Sequence, residues 1–210
     1  MGERRSNSRT GQDTRDRIID AALHTVRDEG LVRTSVRQIA RTGGFNQALV
    51  FYHFGSVEDL LLAALERAND RRMARFGARV EAVESLPDLV AVAQELHRSG
   101  DSEDCDHSAL SAIVAGWATN SEMGPRILAI LQPWEDLVAR ALCRCLAGTP
   151  FAQVLPTADL AHAVIALCLG IELLNRLEGD GRHTATLFTS LAGTAALAEP
   201  LLHSFDAPVD

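Results

Sequence analysis

Apolar side chains recur at helical spacing along most of the chain. In the first such stretch Ile18, Ala22 and Val26 share one face, and Gly30 is placed to end the helix. No stretch alternates apolar and polar residues with a period of two, so the pattern predicts an all-α fold without a sheet. The predicted helices cover about residues 14–29, 36–42, 47–54, 57 onward with an apolar stripe to 68, 88–98, 107–120, 125–146 with Pro133 as a kink or break, 157–178 and 184–203.

Two short helices near the N-terminus carry local start and stop signals. Ser35 and Gln38 have the spacing of a capping box, in which the two side chains satisfy backbone N–H groups of the first helical turn. Gly43 and Gly44 end this helix, and Asn46 is a natural N-cap for the next one. A longer helix followed by two short helices around a glycine turn predicts a helix-turn-helix, an N-terminal three-helix domain whose last helix fits the major groove of DNA.

The charge distribution divides the chain just after this motif. Residues 1–57 contain nine arginines and six acidic residues, a net charge of +3, whereas residues 58–210 carry a net charge of −11. A basic end on an acidic body suggests that only the end meets a polyanion, although a simple drift in composition is the alternative. We therefore predict a flexible basic tail at 1–12, a helix-turn-helix DNA-binding domain at 13–57 and a helical ligand-binding and dimerisation domain at 58–210.

The overall composition excludes several classes of protein. Of the 210 residues, 47% are hydrophobic and 23% charged, which excludes wholesale disorder. No uncharged apolar run reaches the roughly 18 to 20 residues of a membrane span, and the first residues are unlike a signal peptide. Four scattered cysteines are too sparse for a disulfide scaffold. We expect a soluble, cytoplasmic protein with reduced thiols and no membrane partner.

The second short helix offers side chains that can read DNA. Amides at its start can bond base edges, small apolar side chains can contact a thymine methyl, and a hydroxyl or ring N–H farther along can donate to phosphates. An arginine in the preceding helix can reach a guanine or a phosphate. The alternative is a three-helix core whose polar residues only face water. The candidate DNA-binding residues are Ser35, Arg37, Asn46, Gln47, Ala48, Leu49, Tyr52 and His53.

A longer motif surrounds these residues. From Thr34 to Leu61 the order is Thr-Ser-Val-x-x-Ile-Ala, a glycine turn, Tyr-His-Phe and then Ser-x-Glu-x-Leu-Leu. This order resembles the N-terminal domain of the TetR family, the tetracycline-repressor-like regulators, and the detailed similarity covers about residues 14–65. Beyond it, the chain is similar to the family only in length and helical character.

Four positions depart from the usual pattern of that family. Phe51 stands where the family usually has a phosphate-binding Tyr, so we expect it to pack and to leave the phosphate role to the next two residues. Val57 replaces a frequent Lys, Ala48 a common Gly, and the turn at 43–45 a commoner Ala-Gly-Val. Arginines of the predicted tail can supply the missing phosphate contacts; these are Arg4, Arg5 and Arg9.

The resemblance also implies a partner and an assembly. It implies a homodimer that binds a double-stranded DNA operator as a repressor, with a small-molecule effector site in each subunit. It places the dimer interface on the last two long helices, although their apolar stripes can equally face the chain's own core. The expected interface residues are Leu160, Val164, Leu167, Ile171, Leu187, Leu191, Ala195 and Ala198.

The effector site would lie between the middle helices. Bulky apolar residues dominate there and few polar groups converge, so we expect a hydrophobic or amphipathic effector. Each position can alternatively belong to the core or the surface. The candidate ligand-binding residues are Met73, Phe76, Trp117, Trp134, Leu137, Glu172 and Asn175.

We predict neither a cofactor nor a metal site. The segment 101–107 is rich in metal-ligand residue types but lacks the spacing of a calcium or zinc site, so a solvated acidic loop is the simpler interpretation. Cys143 and Cys145 lie roughly 200° apart around a helix, which prevents easy sharing of one metal ion.

Two other functions are weighed against DNA binding. An enzyme built on His97, Cys105 and His107 lacks a nucleophile elbow or a phosphate loop, so we predict that the protein is not an enzyme. A helical interaction protein that has lost operator binding is the other alternative, and the residues Phe51 and Val57 motivate it.

Overall fold

The protein is all-helical, as predicted. The computed structural model describes residues 3–98, 105–179 and 182–203, and every regular element within those ranges is a helix. Short 3₁₀ turns cover Leu31–Arg33 and Pro150–Gln153. The α-helices are α1 (Glu3–Glu29), α2 (Val36–Gly43), α3 (Gln47–Phe54), α4 (Val57–Glu81), α5 (Leu86–Arg98), α6 (Cys105–Gly116), α7 (Met123–Cys145), α8 (Thr157–Glu178) and α9 (Arg182–His203).

The described residues form two compact units. The N-terminal unit contains residues 3–71 and 105–130, and the C-terminal unit contains residues 72–98 and 131–203. We predicted a division at residue 58, where the sequence motif ends. The contacts instead group the start of α4 and residues 105–130 with the helix-turn-helix.

The N-terminal unit is built around the apolar face of α1. Burying each large apolar side chain contributes about 1.5–3 kcal/mol, so this face positions the shorter helices that pack on it. The buried residues of α1 to α4 in this unit include Ile18, Ile19, Ala22, Leu23, Val26, Ile39, Ala40, Val50, Leu60, Leu61 and Leu65.

Helix α1 begins earlier than the sequence pattern indicates. We expected it to start at Thr14 after a flexible tail, but the helix extends from Glu3. Residues 3–12 have no apolar periodicity, so their helix is a polar extension of the packed part. Within it, Gln12 Nε2 donates to Asp16 Oδ1 at 3.1 Å, one helical turn away.

The C-terminal unit is held by apolar packing of long helices. Trp134 and Leu137 of α7 pack with Phe76 of α4, and a neighbouring cluster forms around Val138, Leu142 and Ala161. Pro133 was expected to kink or break its helix, yet α7 continues through it. The first cluster consists of Phe76, Val80, Val83, Val92, Trp134, Leu137, Ala141 and Cys145.

The C-terminal end of α4 is closed by an arginine of α7. Arg144 donates from Nε to the Val83 carbonyl at 3.1 Å and from Nη2 to the Val80 carbonyl at 3.0 Å. Carbonyl groups at a helix end have no partner inside the helix, so the guanidinium supplies the missing donors.

Helices α8 and α9 leave much apolar surface uncovered. Both are long and apolar enough to cross a membrane by length and composition, and only 17% and 11% of their most apolar windows is buried within the chain. We had excluded a span on the ground that no uncharged run was long enough. These helices meet the length and hydropathy criteria with a few charged residues, and those criteria alone do not establish insertion.

Candidate nucleic-acid interface

The serine half of the predicted capping box forms at the start of α2, while the Gln38 side chain bonds the Ser35 hydroxyl and Glu29 instead of the Ser35 backbone N–H. The Gln38 backbone N–H donates to Ser35 Oγ at 3.4 Å, and the Ser35 hydroxyl donates to Gln38 Oε1 at 2.6 Å. Gln38 Nε2 in turn donates to Glu29 Oε2 at 2.6 Å, which ties α2 to the end of α1. Ser35 is exposed, but its hydroxyl hydrogen is engaged within the chain, so it can accept from a neighbour more readily than it can donate to a phosphate.

The glycine turn between α2 and α3 is sterically required. Gly44 has φ +66°, a left-handed conformation that glycine adopts without strain. A Cβ on Gly43 would collide with the Phe45 ring and would lie 2.9 Å from the Ala21 Cβ. Phe45 therefore packs against the turn as the expected apolar plug, and the turn holds α2 and α3 at a fixed angle.

Helix α3 has the bounds predicted from the sequence and is capped by Asn46. The Ala48 backbone N–H donates to Asn46 Oδ1 at 2.9 Å, so only the amide N–H₂ of Asn46 is left for a base edge. Gly55 ends the helix with φ +78°. Val50 is fully buried and anchors α3 to the unit, which turns the opposite side of the helix outwards.

The outward side of α3 contains most of the candidate reading residues. Gln47 and Ala48 are exposed, Leu49 is half-buried, and Tyr52 is 81% exposed. The half-buried His53 packs edge-on against the Tyr52 ring, with centroids 5.0 Å apart. The helix therefore presents an amide at its start, which can bond a base edge, and a phenol near its end, which can donate to a phosphate.

Phe51 does not pack as expected. It is 53% exposed and lies beside Tyr52 on the outward side of α3. Val50 is the buried residue of α3, and Phe51 follows it about 100° farther around the helix, away from the core. Phe51 can therefore contact sugar or a thymine methyl, but it cannot donate a hydrogen bond to a phosphate.

The arginines near this surface differ in whether they contact other groups of the chain. Arg37 is exposed at the start of α2. Arg41 pairs with Glu29 at 2.9 Å, and the Arg15 guanidinium lies 4.9 Å from the centre of the Phe54 ring. The side chains of Arg4, Arg5 and Arg9, which we expected to reach DNA, lie outside the described part of the chain.

Sequence comparison agrees with this geometry. Residues 18–64 match the sequence model of the bacterial regulatory proteins of the tetR family, and this segment contains α2, α3 and the capped start of α4. The segment that contains the helix-turn-helix is therefore similar to the DNA-binding domain of tetR-family regulators.

Individual TetR-family relatives share different lengths with the chain. The transcriptional regulator BetI of Rhizobium meliloti is 41% identical over 51 residues, which is 24% of this chain and 25% of that relative. BetI 2 of Chromohalobacter salexigens is 26% identical over 175 residues, 81% of each chain. The strongest identity is thus confined to a segment of the size of the DNA-binding domain.

Solved structures show the same fold over nearly the whole chain. The fatty acid degradation regulator FadR of Bacillus halodurans superposes with a TM-score of 0.71 at 16% identity, covering 86% of this chain and 93% of FadR. A TetR-family regulator of Marinobacter aquaeolei gives a TM-score of 0.64 at 19% identity, covering 89% and 96%. These likenesses show the fold, while the matched segment and the BetI relatives support a DNA-binding helix-turn-helix transcriptional regulator.

The structure separates the candidate ligand-binding residues into three groups. Phe76, Trp134 and Leu137 lie in one packed cluster with Met73 against it, whereas Trp117 belongs to the N-terminal unit. The remaining two are polar and lie on α8, with Glu172 buried and Asn175 half-buried.

The expected dimer residues differ in exposure. Ile171 and Ala195 are buried within the chain. Leu160 and Val164 pack partly on the cluster around Val138. Leu191 and Ala198 are half-buried, while Leu167 and Leu187 are exposed. Further exposed leucines of the two helices are Leu173, Leu174, Leu177, Leu197 and Leu201.

One functional residue of the interface was missed altogether. Glu29 accepts from Gln38 and Arg41, so its carboxylate fixes α2 relative to α1. Nothing in the local sequence indicates this role, because the partners lie 9 and 12 residues away on another helix.

Proposed function

We propose that this TetR-family regulator is a repressor that binds a palindromic operator as a homodimer and is released by a small hydrophobic or amphipathic effector. The observation that carries the proposal is the outward side of α3, where Gln47 and Tyr52 stand free on a helix capped at both ends. Two such helices, one from each subunit, would read half-sites about one turn of DNA apart.

The apolar surface of α8 and α9 supports the homodimer. Leu173 and Leu177 of α8 and Leu197 and Leu201 of α9 are each 45% exposed or more. Large exposed apolar patches mark association surfaces, and a second copy of this surface would cover both helices in an isologous contact. The same association accounts for their membrane-like hydropathy in a cytoplasmic protein.

A polar cluster among the apolar helices supports an effector response. His97 Nδ1 lies 3.6 Å from Glu172 Oε2, and Arg176 Nε lies 3.4 Å from Glu172 Oε1. The His97 ring also packs on Phe188, with centroids 5.6 Å apart. This cluster gives an otherwise apolar unit a few fixed polar groups, which is the usual composition of a small-molecule site.

Asn175, about one turn after Glu172 on α8, carries an unsatisfied acceptor. Its Oδ1 atom is buried and accepts no hydrogen bond from the described part of the chain. A buried acceptor without a donor costs about 1–3 kcal/mol, so an effector with an N–H or O–H group would recover that energy. An amphipathic molecule with a donor at its polar end fits this chemistry better than a pure hydrocarbon.

The DNA contacts can be tested with substitutions at the two exposed reading residues. The wild-type protein selects duplexes from a pool with a random region of about 30 base pairs, long enough for two half-sites. Gln47→Ala and Arg37→Ala should each weaken binding to the selected duplex by about 1–3 kcal/mol. Gln153→Ala, an exposed glutamine of the C-terminal unit, is the control. Wild-type affinity of both variants would refute these contacts.

The dimer surface can be tested with two equally exposed leucines. Leu174 on α8 and Leu128 on α7 are both 56% exposed. Leu174→Arg would bury a charge without a partner in the dimer and should give a monomer in sedimentation. Leu128→Arg should leave the assembly unchanged. A wild-type monomer at high concentration would contradict the proposal.

A further inference from the structure

Residues 105–130 contact the chain immediately after the recognition helix. Arg126 Nη2 of α7 donates to Asp59 Oδ1 of α4 at 2.9 Å. The other carboxylate oxygen of Asp59 accepts from the Ser56 hydroxyl at 2.7 Å, and the Asp59 backbone N–H donates to Ser56 Oγ at 3.0 Å. Hydrogen bonds from Ser56 and then from Arg126 hold the pKa of Asp59 below its usual value. One carboxylate therefore joins α7 to the capped start of α4.

The start of α4 determines where α3 ends. Only Gly55 and Ser56 separate the two helices, and the Gly55 backbone N–H donates to the Phe51 carbonyl at 3.0 Å. So short a connection transmits a displacement of Ser56 directly to the last turn of α3. An anchor on Asp59 is thus an anchor on the recognition helix.

The same segment also contacts the chain just before α2. Gly116, at the end of α6, approaches Leu31 so closely that an added Cβ would overlap the Leu31 Cδ2 methyl. Leu31 opens the 3₁₀ turn that leads to Ser35 and α2. Residues 105–130 therefore contact the helix-turn-helix at both ends, although they lie outside the matched family segment.

We infer that residues 105–130 hold the helix-turn-helix at both ends and that Arg126 is a positioning residue for operator recognition. The inference rests on the proposed reading role of α3. Arg126 and Asp59 have side chains 50% and 46% exposed, and exposed pairs of this kind contribute little to stability because solvent screens them. The contact should therefore influence the orientation of α3 more than the folding of the unit.

An alternative role for Arg126 is a direct bond to a DNA phosphate. The two roles predict opposite results for Asp59→Asn, which keeps an oxygen for Ser56 but removes the charge that engages Arg126. A phosphate-binding Arg126 would be freed and would bind DNA more tightly. A positioning Arg126 would lose its anchor, and operator affinity would fall.

The experiment uses the full chain with Arg126→Gln, Arg126→Lys, Asp59→Asn and the Arg126→Gln/Asp59→Asn double variant. Each is titrated with a duplex selected by the wild type from a random pool and with a scrambled duplex of equal composition, across a salt series. We expect Arg126→Gln and Asp59→Asn each to lose about 3- to 20-fold in affinity for the selected duplex. Binding to the scrambled duplex, the salt slope and the melting temperature should stay unchanged.

Two further results are expected if the contact itself matters. Arg126→Lys retains a cation at Asp59 and should recover most of the affinity. The double variant should bind no more weakly than either single variant, because both changes break one contact.

Several outcomes would overturn the inference. These are equal losses on both duplexes with a salt slope reduced by about 0.9, tighter binding by Asp59→Asn, additive losses in the double variant, or no loss at all. If the wild type selects no sequence from the pool, the operator function fails and the inference fails with it.

The contact at Gly116 gives an independent check. Gly116→Ala should lower affinity for the selected duplex because Leu31 must move, and Leu31→Ala in the same chain should restore it by making room. Failure of that restoration would show that Gly116 does not act through Leu31.

Discussion

The two units of the chain are stabilised in different ways. In the N-terminal unit, short helices begin at side chains that bond their own first turn, such as Ser35, Asn46 and Ser56. In the C-terminal unit, long helices are held mainly by apolar clusters such as the one around Trp134. The capping hydrogen bonds are local in sequence and set where the helices of the N-terminal unit begin. The apolar clusters involve residues far apart in sequence and hold the long helices of the C-terminal unit together.

This difference suits the proposed division of work. A surface that reads DNA needs a few side chains at defined angles, and caps and turns with little freedom provide them. A unit that binds an effector and a second subunit needs apolar surface that can repack. Substitutions in each unit test whether stability and DNA binding respond as differently as these interactions suggest.

The largest effect is expected in the C-terminal core. Trp134 of α7 is 8% exposed and packs in one cluster with Phe76 and Val80 of α4. Trp134→Ala should lower the free energy of unfolding by about 3–5 kcal/mol, because it leaves a cavity. Urea unfolding measures this change, and Trp117→Ala, at a half-buried tryptophan of the N-terminal unit, should cost less. An equal cost at the two positions would remove the distinction.

The same core should make the protein sensitive to alkaline pH. Burial raises the pKa of the Cys145 thiol from 9.0 to about 11. As pH rises from 9 to 11 the unfolded chain loses this proton first, so the stability contributed by the neutral thiol falls, by at most about 2–3 kcal/mol. Urea midpoints across this range should fall less in Cys145→Ala than in the wild type. Cys143→Ala removes an exposed thiol and should follow the wild type.

A loss of stability similar to that predicted for Cys145 is expected when the glycine turn of the N-terminal unit is substituted. Gly43→Ala places a Cβ against the Phe45 ring and Ala21, and such overpacking typically costs about 1–3 kcal/mol. Gly11, inside α1, has nothing near its missing Cβ, so Gly11→Ala should instead stabilise by about 0.5–1 kcal/mol. Thermal unfolding of the two variants should therefore shift in opposite directions. A shift in the same direction would show that the turn tolerates a side chain.

The smallest effect is expected at the cap of the recognition helix. Asn46→Ala removes the acceptor for the Ala48 N–H and should cost about 1 kcal/mol. Asn46→Asp replaces the amide oxygen with a carboxylate oxygen, which can still accept from the Ala48 N–H and should keep the stability. It loses the N–H₂ donors. If both variants also bind the selected duplex equally weakly, Asn46 contacts DNA through its nitrogen as well as capping α3.

The short helices were predictable because their signals are local. Ser35 and Asn46 predicted the starts of α2 and α3, and the observed bounds agree with the prediction to within one residue. Ser85 caps α5 in the same manner, with Asp88 at the third helical position, so its start signal is equally local. We placed the start of that helix at Asp88 instead of Leu86.

The other differences arise from tertiary contacts. The extension of α1 to Glu3 follows polar sequence that has no apolar stripe, whereas the extension of α4 to Glu81 places Phe76 and Val80 in the C-terminal core. Arg67 and Arg71 of α4 pair with Asp16 and Asp20 of α1. The two partners of each pair are 51 residues apart in the sequence. The exposed leucines of α8 and α9 could not be separated from the buried ones, because one apolar helix face does not indicate which neighbour covers it.

The closure of α4 by Arg144 has a consequence for local opening. The last turns of a helix normally fray, so their amide protons exchange with solvent long before the rest. Here the guanidinium of α7 bonds the carbonyls of Val80 and Val83, while the N–H groups of Ala82 and Val83 donate back to α4. These two amides should therefore exchange only when α7 separates from α4. The slowly exchanging amide protons of the C-terminal unit would then include residues beyond the end of α4.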